Sequence, residues 1–378
     1  MPDASTPHPT PLTHLPPALD RAAVLGAGAW GSALAAALQN AGINTRLWAR
    51  APERANLVNT AHRSAALPGI ALPETLMATS DLAQATRGAQ LVLIAVPASA
   101  TRALAERLAG QLDPGTLVLS ASKGFEQETG ALMTQVLDDA LGVEVHTGVL
   151  TGPSFAIEVA RGAPTLLTLA LSALDTGHPQ HRRAQRQVKA LARCLSSVSI
   201  RLETTSDVIG AQIGGALKNQ IAIACGMATA LGLGENARAG ILTRGLDDMR
   251  RLTRALGGHP ETLLGSCGVG DLFLTAASRQ SRNTRLGMAL VTRAHDTPIN
   301  ELSEGAVSAR TVAQLESRLS LRLELAHTVR CVLDGHQTPA QALAALLDPH
   351  RPVHEQVAPT PSVMRSVQQT PRRTLHHV

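Results

Sequence analysis

The chain has 378 residues, 44% apolar and 17% charged, with a formal net charge of +5. That length predicts two domains, each able to bury a core, and the composition argues against a disordered or fibrous chain. Three Phe, two Trp and no Tyr argue against the aromatic stacking platforms of single-stranded nucleic-acid binders, and leave the core to Leu, Ala, Val and Ile.

Residues 1–20 hold six Pro and no Lys or Arg; residues 349–378 hold five Pro, four His and four Arg. Both are expected to be disordered extensions, and the tail histidines lack the ordered spacing of a metal site, so no metal is expected. The leader has neither a basic start nor an apolar h-region, so it does not read as a signal peptide. No apolar run reaches the ~18 residues of a membrane span. Cys194, Cys225, Cys267 and Cys331 form no CxxC pair and read as reduced thiols of a cytoplasmic protein. The mild positive charge suits a small anionic substrate better than a nucleic acid.

In chain order, the apolar run at 22–25 reads as a strand, 31–41 as a helix and 45–48 as a second strand. Further strands are expected at 91–96, 116–120 and 146–150. Strands alternating with helical patterns imply βαβ units and a mostly parallel sheet. Past Thr205 the strands stop, and helices are expected at about 206–232, 236–257, 284–293, 305–318, 322–334 and 339–347. The predicted fold class is α/β: an N-terminal doubly wound Rossmann-like domain (21–205) followed by an all-α C-terminal domain (206–348). Ligands belong at the carboxyl ends of the strands, between the two.

The loop Gly26-Ala27-Gly28-Ala29-Trp30-Gly31 follows a strand and opens a helix, the context a dinucleotide fingerprint requires. The helix amino terminus offers amide donors and a favourable dipole to a pyrophosphate. At the end of the second strand, where an acid usually takes the ribose 2′-hydroxyl, stands Arg50. An arginine there suits a 2′-phosphate and predicts NADP(H), with NAD(H) as a second cofactor; stacking on the adenine is the plainer alternative.

Residues 210–223 are helical in pattern yet contain three Gly, each costing about 1 kcal/mol against Ala. Close approach of a cofactor or another helix would offset that. Lys218 sits in this apolar stretch, either as a buried acid/base of lowered pKa or as a lysine reaching out to solvent. Asp271, in a tight Gly-Val-Gly-Asp loop, would orient a lysine, bind a substrate hydroxyl or cap a helix. Ser281, Arg282 and Asn283 open a helix and together suit a phosphate. Lys123 and Ser154 stand just past strand ends, at the edge where ligands bind.

These segments resemble the bacterial NAD(P)-dependent sn-glycerol-3-phosphate dehydrogenase family. The matching stretches are GAGAWGSALA (26–35), ASKGFE (121–126), TGPSFAIEVA (151–160), IGGALKNQIAIACGM (213–227), NARAGILTRGLDDMRRL (236–252), GVGDLFLT (268–275) and QSRNTRLG (280–287). The resemblance implies that Lys218 exchanges the proton of the substrate hydroxyl, and that Lys123, Gly152, Ser154, Asp271, Ser281, Arg282 and Asn283 surround a small phosphorylated substrate, dihydroxyacetone phosphate or sn-glycerol 3-phosphate. It implies cofactor contacts from Gly26, Gly28, Ala29, Trp30, Gly31, Arg50, Lys123, Ala156, Arg282, Leu302 and Glu304. It also implies a homodimer and a role in phospholipid synthesis. Two departures stand out: Gln220 where the family has an apolar residue, and a shortened stretch from Gly287 to Glu304 that bears on Leu302 and Glu304. A related β-hydroxyacid dehydrogenase and a non-catalytic dinucleotide sensor are the rival readings.

Overall fold

The computed structural model describes residues 19–142, 144–278, 280–292 and 304–348. Most of the expected leader, the tail at 349–378 and Leu302 lie outside the described residues. Leu19 and Asp20 do not belong to a leader: Leu19 packs on the core, and Asp20 ties the first two strands through its carbonyl and reaches Gln90 through its amide.

One eight-stranded sheet organises the first half. Its strands are β1 (Arg21–Leu25), β2 (Asn44–Trp48), β3 (Met77–Thr79), β4 (Leu91–Ile94), β5 (Leu117–Ser120), β6 (His146–Thr151), β7 (Thr165–Leu171) and β8 (Ile200–Thr205), in the order β3-β2-β1-β4-β5-β6-β7-β8. The strands from β3 to β6 pair in parallel, β7 runs antiparallel to β6, and β8 is parallel to β7. The doubly wound expectation therefore holds. The central strands are buried on both faces, which is why they read as unbroken apolar runs. Strand β3 and the pair β7–β8 were not foreseen. The edge strand β8 (IRLETT) alternates apolar and polar only over its first four residues and has one buried position, a weaker signal than a buried run.

The helices of this half are α1 (Ala29–Asn40), α2 (Pro52–Ala61), α3 (Leu82–Thr86), α4 (Ala98–Leu108), α5 (Met133–Leu141), α6 (Ala156–Ala160) and α7 (His181–Ser196). After Thr205 come α8 (Val208–Ala230), α9 (Gly234–Ala255), α10 (Asp271–Ala277), α11 (Arg282–Thr292), α12 (Glu304–Arg318), α13 (Glu324–Leu333) and α14 (Pro339–Leu346). The α8 helix is buried all round between Gly210 and Ala228, with α9, α10, α11, α12 and α13 packed about it. A helix apolar on every side belongs at the centre of a bundle. Its amino terminus is fixed by Asp207, whose carboxylate accepts from the Gly210 amide (2.9 Å), the His259 amide (3.0 Å) and the Thr262 hydroxyl (2.7 Å).

A second buried carboxylate holds the bundle's periphery. One oxygen of Asp248 on α9 accepts the Leu325 and Ala326 amides at 2.9 and 3.1 Å, capping α13 from a neighbouring helix. Burial pushes this carboxyl up to about 7. Since one oxygen takes both amides, Asp248→Asn is expected to keep the cap, whereas Asp248→Ala strands two buried donors. Thermal or urea unfolding should show Asp248→Ala destabilised by about 1–3 kcal/mol and Asp248→Asn within about 1 kcal/mol of the parent.

Candidate active site

The glycine loop sits at the carboxyl ends of β1 and β4, where the strand order reverses. Gly26 has φ +120°, and a Cβ there would lie 2.6 Å from the Ala95 carbonyl oxygen. A Cβ on Gly31 would fall 1.8 Å from the Gly26 carbonyl oxygen, so α1 can start this close to β1 only without one. A Cβ on Gly28 would meet nothing within 4 Å. That open side faces no protein, and no side chain caps α1. The first amides of the helix therefore lack side-chain acceptors, as an anion-binding terminus requires. The loop fits a dinucleotide pyrophosphate. Ala29 and Trp30 begin α1, and Ala156 begins α6, which packs on α1. Arg50 is exposed just beyond the end of β2.

The catalytic candidates converge on one carboxylate. Lys218 Nζ, from α8, donates to Asp271 Oδ1 at 2.5 Å. Lys123 Nζ, from the loop after β5, donates to Asp271 Oδ2 at 2.7 Å and to the Gly152 carbonyl at 3.3 Å. Asp271 is 1% exposed and Lys218 7%, so both are buried together. Burial lowers the Lys218 ammonium to about 7; the neighbouring Lys123 charge adds to that, and Asp271 opposes it. Lys218 can therefore give up and take back a proton close to neutral pH. Asp271 neither lies in a loop nor caps a helix. It is the first residue of α10, with Gly270 at the cap position, and its side chain is committed to the two lysines.

A single π turn, residues Ser266–Gly270, presents Asp271 to α8. Such turns add one residue to a helical register and re-aim the residues beyond them. The approach is backbone to backbone: a Cβ on Gly214 would sit 2.1 Å from the Cys267 carbonyl oxygen. This close approach accounts for a helix-weakening glycine one turn before Lys218. The unforeseen strands hold the turn in place, because Thr168 of β7 bonds Ser266 Oγ at 2.7 Å and Glu203 of β8 accepts the Ser266 amide at 3.2 Å.

Thr275 was missed in the sequence. Its hydroxyl accepts from Lys218 Nζ at 2.9 Å and donates to the Asp271 carbonyl at 2.7 Å. Reading 271–277 as a helix would have placed Thr275 one turn past Asp271, on the same face. Ser154 Oγ donates to the Gly152 carbonyl at 3.1 Å, so Gly152 and Ser154 lie beside Lys123. Ser281 Oγ accepts the Thr284 amide at 3.3 Å and so caps α11, while Asn283 Oδ1 accepts the Gly305 amide at 3.2 Å and ties α11 to the start of α12. Two of the three phosphate candidates thus also do structural work. Glu304 contributes the first residue of α12. Gln220, the departure on α8, donates to Ser308 Oγ at 3.2 Å and links α8 to α12. A cleft of about 780 Å³ opens beside Lys123, lined also by Ser99, Phe125, Ser308, Arg310 and Arg330.

A profile of the NAD-dependent glycerol-3-phosphate dehydrogenase N-terminus matches residues 21–176, and one of the C-terminus matches residues 207–344. The chain belongs to this family. It is 43% identical over 335 residues to a glycerol-3-phosphate dehydrogenase, NAD(P)+-dependent, of Rhodospirillum rubrum, covering 87% of this chain and 92% of that one. The Stenotrophomonas maltophilia enzyme of the same name is 40% identical over 333 residues, with 87% and 94% covered. The solved glycerol-3-phosphate dehydrogenase of Coxiella burnetii superposes with a TM-score of 0.78 at 34% identity, covering 87% of this chain and 99% of that one. The chain is thus an NAD(P)-dependent oxidoreductase of this family.

The Gly214 contact gives a direct test of the assembly. Gly214→Ala must displace the Cys267 carbonyl and with it Asp271. It is expected to cost about 1–3 kcal/mol in unfolding free energy. It should also lower kcat more than Ala222→Gly, placed one turn past Lys218 and away from the π turn; equal effects would detach the π turn from catalysis.

Proposed function

We propose that this family member interconverts dihydroxyacetone phosphate and sn-glycerol 3-phosphate, with Lys218 as the proton-transfer group. The observation that carries the reading is the sharing of buried Asp271 by Lys218 and Lys123. A nicotinamide dinucleotide held by the Gly26–Gly31 loop would supply or accept the hydride. In reduction, Lys218 Nζ gives its proton to the oxygen of the former ketone; in oxidation, it takes that proton back. Asp271 and Thr275 hold the ammonium in place, so the proton leaves from a fixed point. Two ammoniums against one carboxylate leave the pocket net positive, which suits a phosphate ester. Lys123, Gly152, Ser154, Ser281, Arg282 and Asn283 are proposed to line the substrate. Gly26, Gly28, Ala29, Trp30, Gly31, Arg50, Lys123, Ala156, Arg282 and Glu304 are proposed to line the cofactor. A cytoplasmic homodimer is the assembly we propose; sedimentation of the purified chain tests it. Among the described residues no helix is long and apolar enough to cross a membrane.

Loss of nicotinamide absorbance with dihydroxyacetone phosphate tests the reaction, and no turnover with NADPH or NADH would sink it. Lys218→Ala is expected to lower kcat about 10²–10⁴-fold while cofactor binding persists; an active variant would remove Lys218 from the mechanism.

The pH dependence has a definite sign. Reduction needs protonated Lys218, so its kcat should fall as pH rises through about 7, whereas oxidation needs the free amine and should rise over the same range. Parallel profiles in the two directions would contradict the assignment.

Arg50→Asp is expected to raise the KM for NADPH roughly tenfold or more, with little change for NADH. Equal effects on both cofactors would leave Arg50 no role at a 2′-phosphate.

A further inference from the structure

Helix α7 carries Arg182, Arg183, Arg186, Lys189 and Arg193 and no acidic residue. Its charge equals the formal +5 of the whole chain, so the remainder sums to zero. Four of the five, Arg182, Arg186, Lys189 and Arg193, follow the spacing i, i+4, i+7, i+11. That spacing places them in one stripe along one face of the helix, about 16 Å long. All are exposed. No ion pair engages any of the four among the described residues, and the acid nearest in sequence, Asp175, accepts the Gly177 amide in the loop before the helix. The α9 helix, equally rich in arginine, behaves differently: Arg238 pairs with Glu235 and Arg250 with Asp247. Arginine content alone therefore does not explain the bare stripe on α7.

The opposite face of α7 is committed to the core. Ala184, Val188, Leu191 and Leu195 are buried against the sheet and α1. The helix cannot roll its apolar side into a bilayer, and no large apolar residue stands exposed along the stripe to anchor a protein partner. What remains is a convex row of flexible cations, complementary to a flat, densely anionic surface.

We propose that α7 docks this protein peripherally on anionic phospholipid membranes through Arg182, Arg186, Lys189 and Arg193. The contact is electrostatic and reversible, so it weakens with salt. It leaves the sheet, the cofactor loop and the bundle unchanged.

Flotation of the full chain with vesicles tests this. At low salt, vesicles of phosphatidylcholine with one-third phosphatidylglycerol are expected to carry the protein, and pure phosphatidylcholine vesicles to leave it free. Adding 0.5 M NaCl, about a 4 Å screening length, should release it. The double variant Arg186→Glu, Lys189→Glu should lose binding roughly tenfold or more. The double variant Arg186→Lys, Lys189→Arg should keep it, and both should retain the parental kcat, KM and melting temperature. No preference for anionic vesicles, or undiminished binding by the charge-reversed variant, would overturn the proposal. So would a charge-reversed variant that changes only KM for the phosphorylated substrate, because the stripe would then steer substrate. Stripe-dependent binding of soluble polyglutamate without vesicle binding would overturn it in favour of an acidic protein partner.

Discussion

Two ammonium groups share one carboxylate, and the geometry of the whole site depends on that arrangement. Lys123 comes from the loop after β5, Lys218 from the central helix of the bundle, and Asp271 from the start of α10, just past the π turn. A single buried charge costs several kcal/mol unless it is paired and hydrogen-bonded. Buried Asp271 and Lys218 are acceptable because they pair with each other, and the partly buried Lys123 adds a second cation to Asp271. The cluster adds a polar tie between sheet and bundle to the apolar contact of Val149 and Ala170 with Ala211 and Cys267. It also places two cationic groups on one anion, a polarity that suits a phosphorylated substrate.

The scaffold around the cluster serves its precision. Gly214 lets the π turn touch α8 at backbone distance, and Thr168 and Glu203 brace that turn from the last two strands. Asp207 fixes the start of α8 and reaches the segment leading into the same turn. Strands β7 and β8 thus serve as a backstop for Asp271 as well as an extension of the sheet. The buried thiols take no part in this chemistry: burial pushes Cys225 up to about 12 and Cys267 to about 11, which keeps both as neutral packing groups.

Charge is used in two ways in one chain. Inside, three charges are balanced against one another to set the proton affinity of Lys218. On the surface, α9 pairs Arg238 and Arg250 with acids one turn away, while the four cations of the α7 stripe have no ion pair among the described residues. The first use requires burial and close partners; the second requires exposure and their absence.

The sequence by itself determined the parts that obey local rules. Apolar runs of four to six residues marked the central strands, because strands buried on both faces cannot alternate. The spacing of Gly26, Gly28 and Gly31 between a strand and a helix marked the cofactor loop, because its demands are those of a few consecutive residues. Lys218 was conspicuous as a charge in an apolar helix, but its two possible environments, solvent or core, could not be separated locally. The tertiary structure decided that question by bringing Asp271 to it from 53 residues away. It also decided that Asp271 begins a helix instead of lying in a loop, that Thr275 completes the lysine's coordination, and that β8 exists despite its polar pattern. These depend on contacts between segments far apart in the chain, and a contact of that kind leaves no periodicity in either segment.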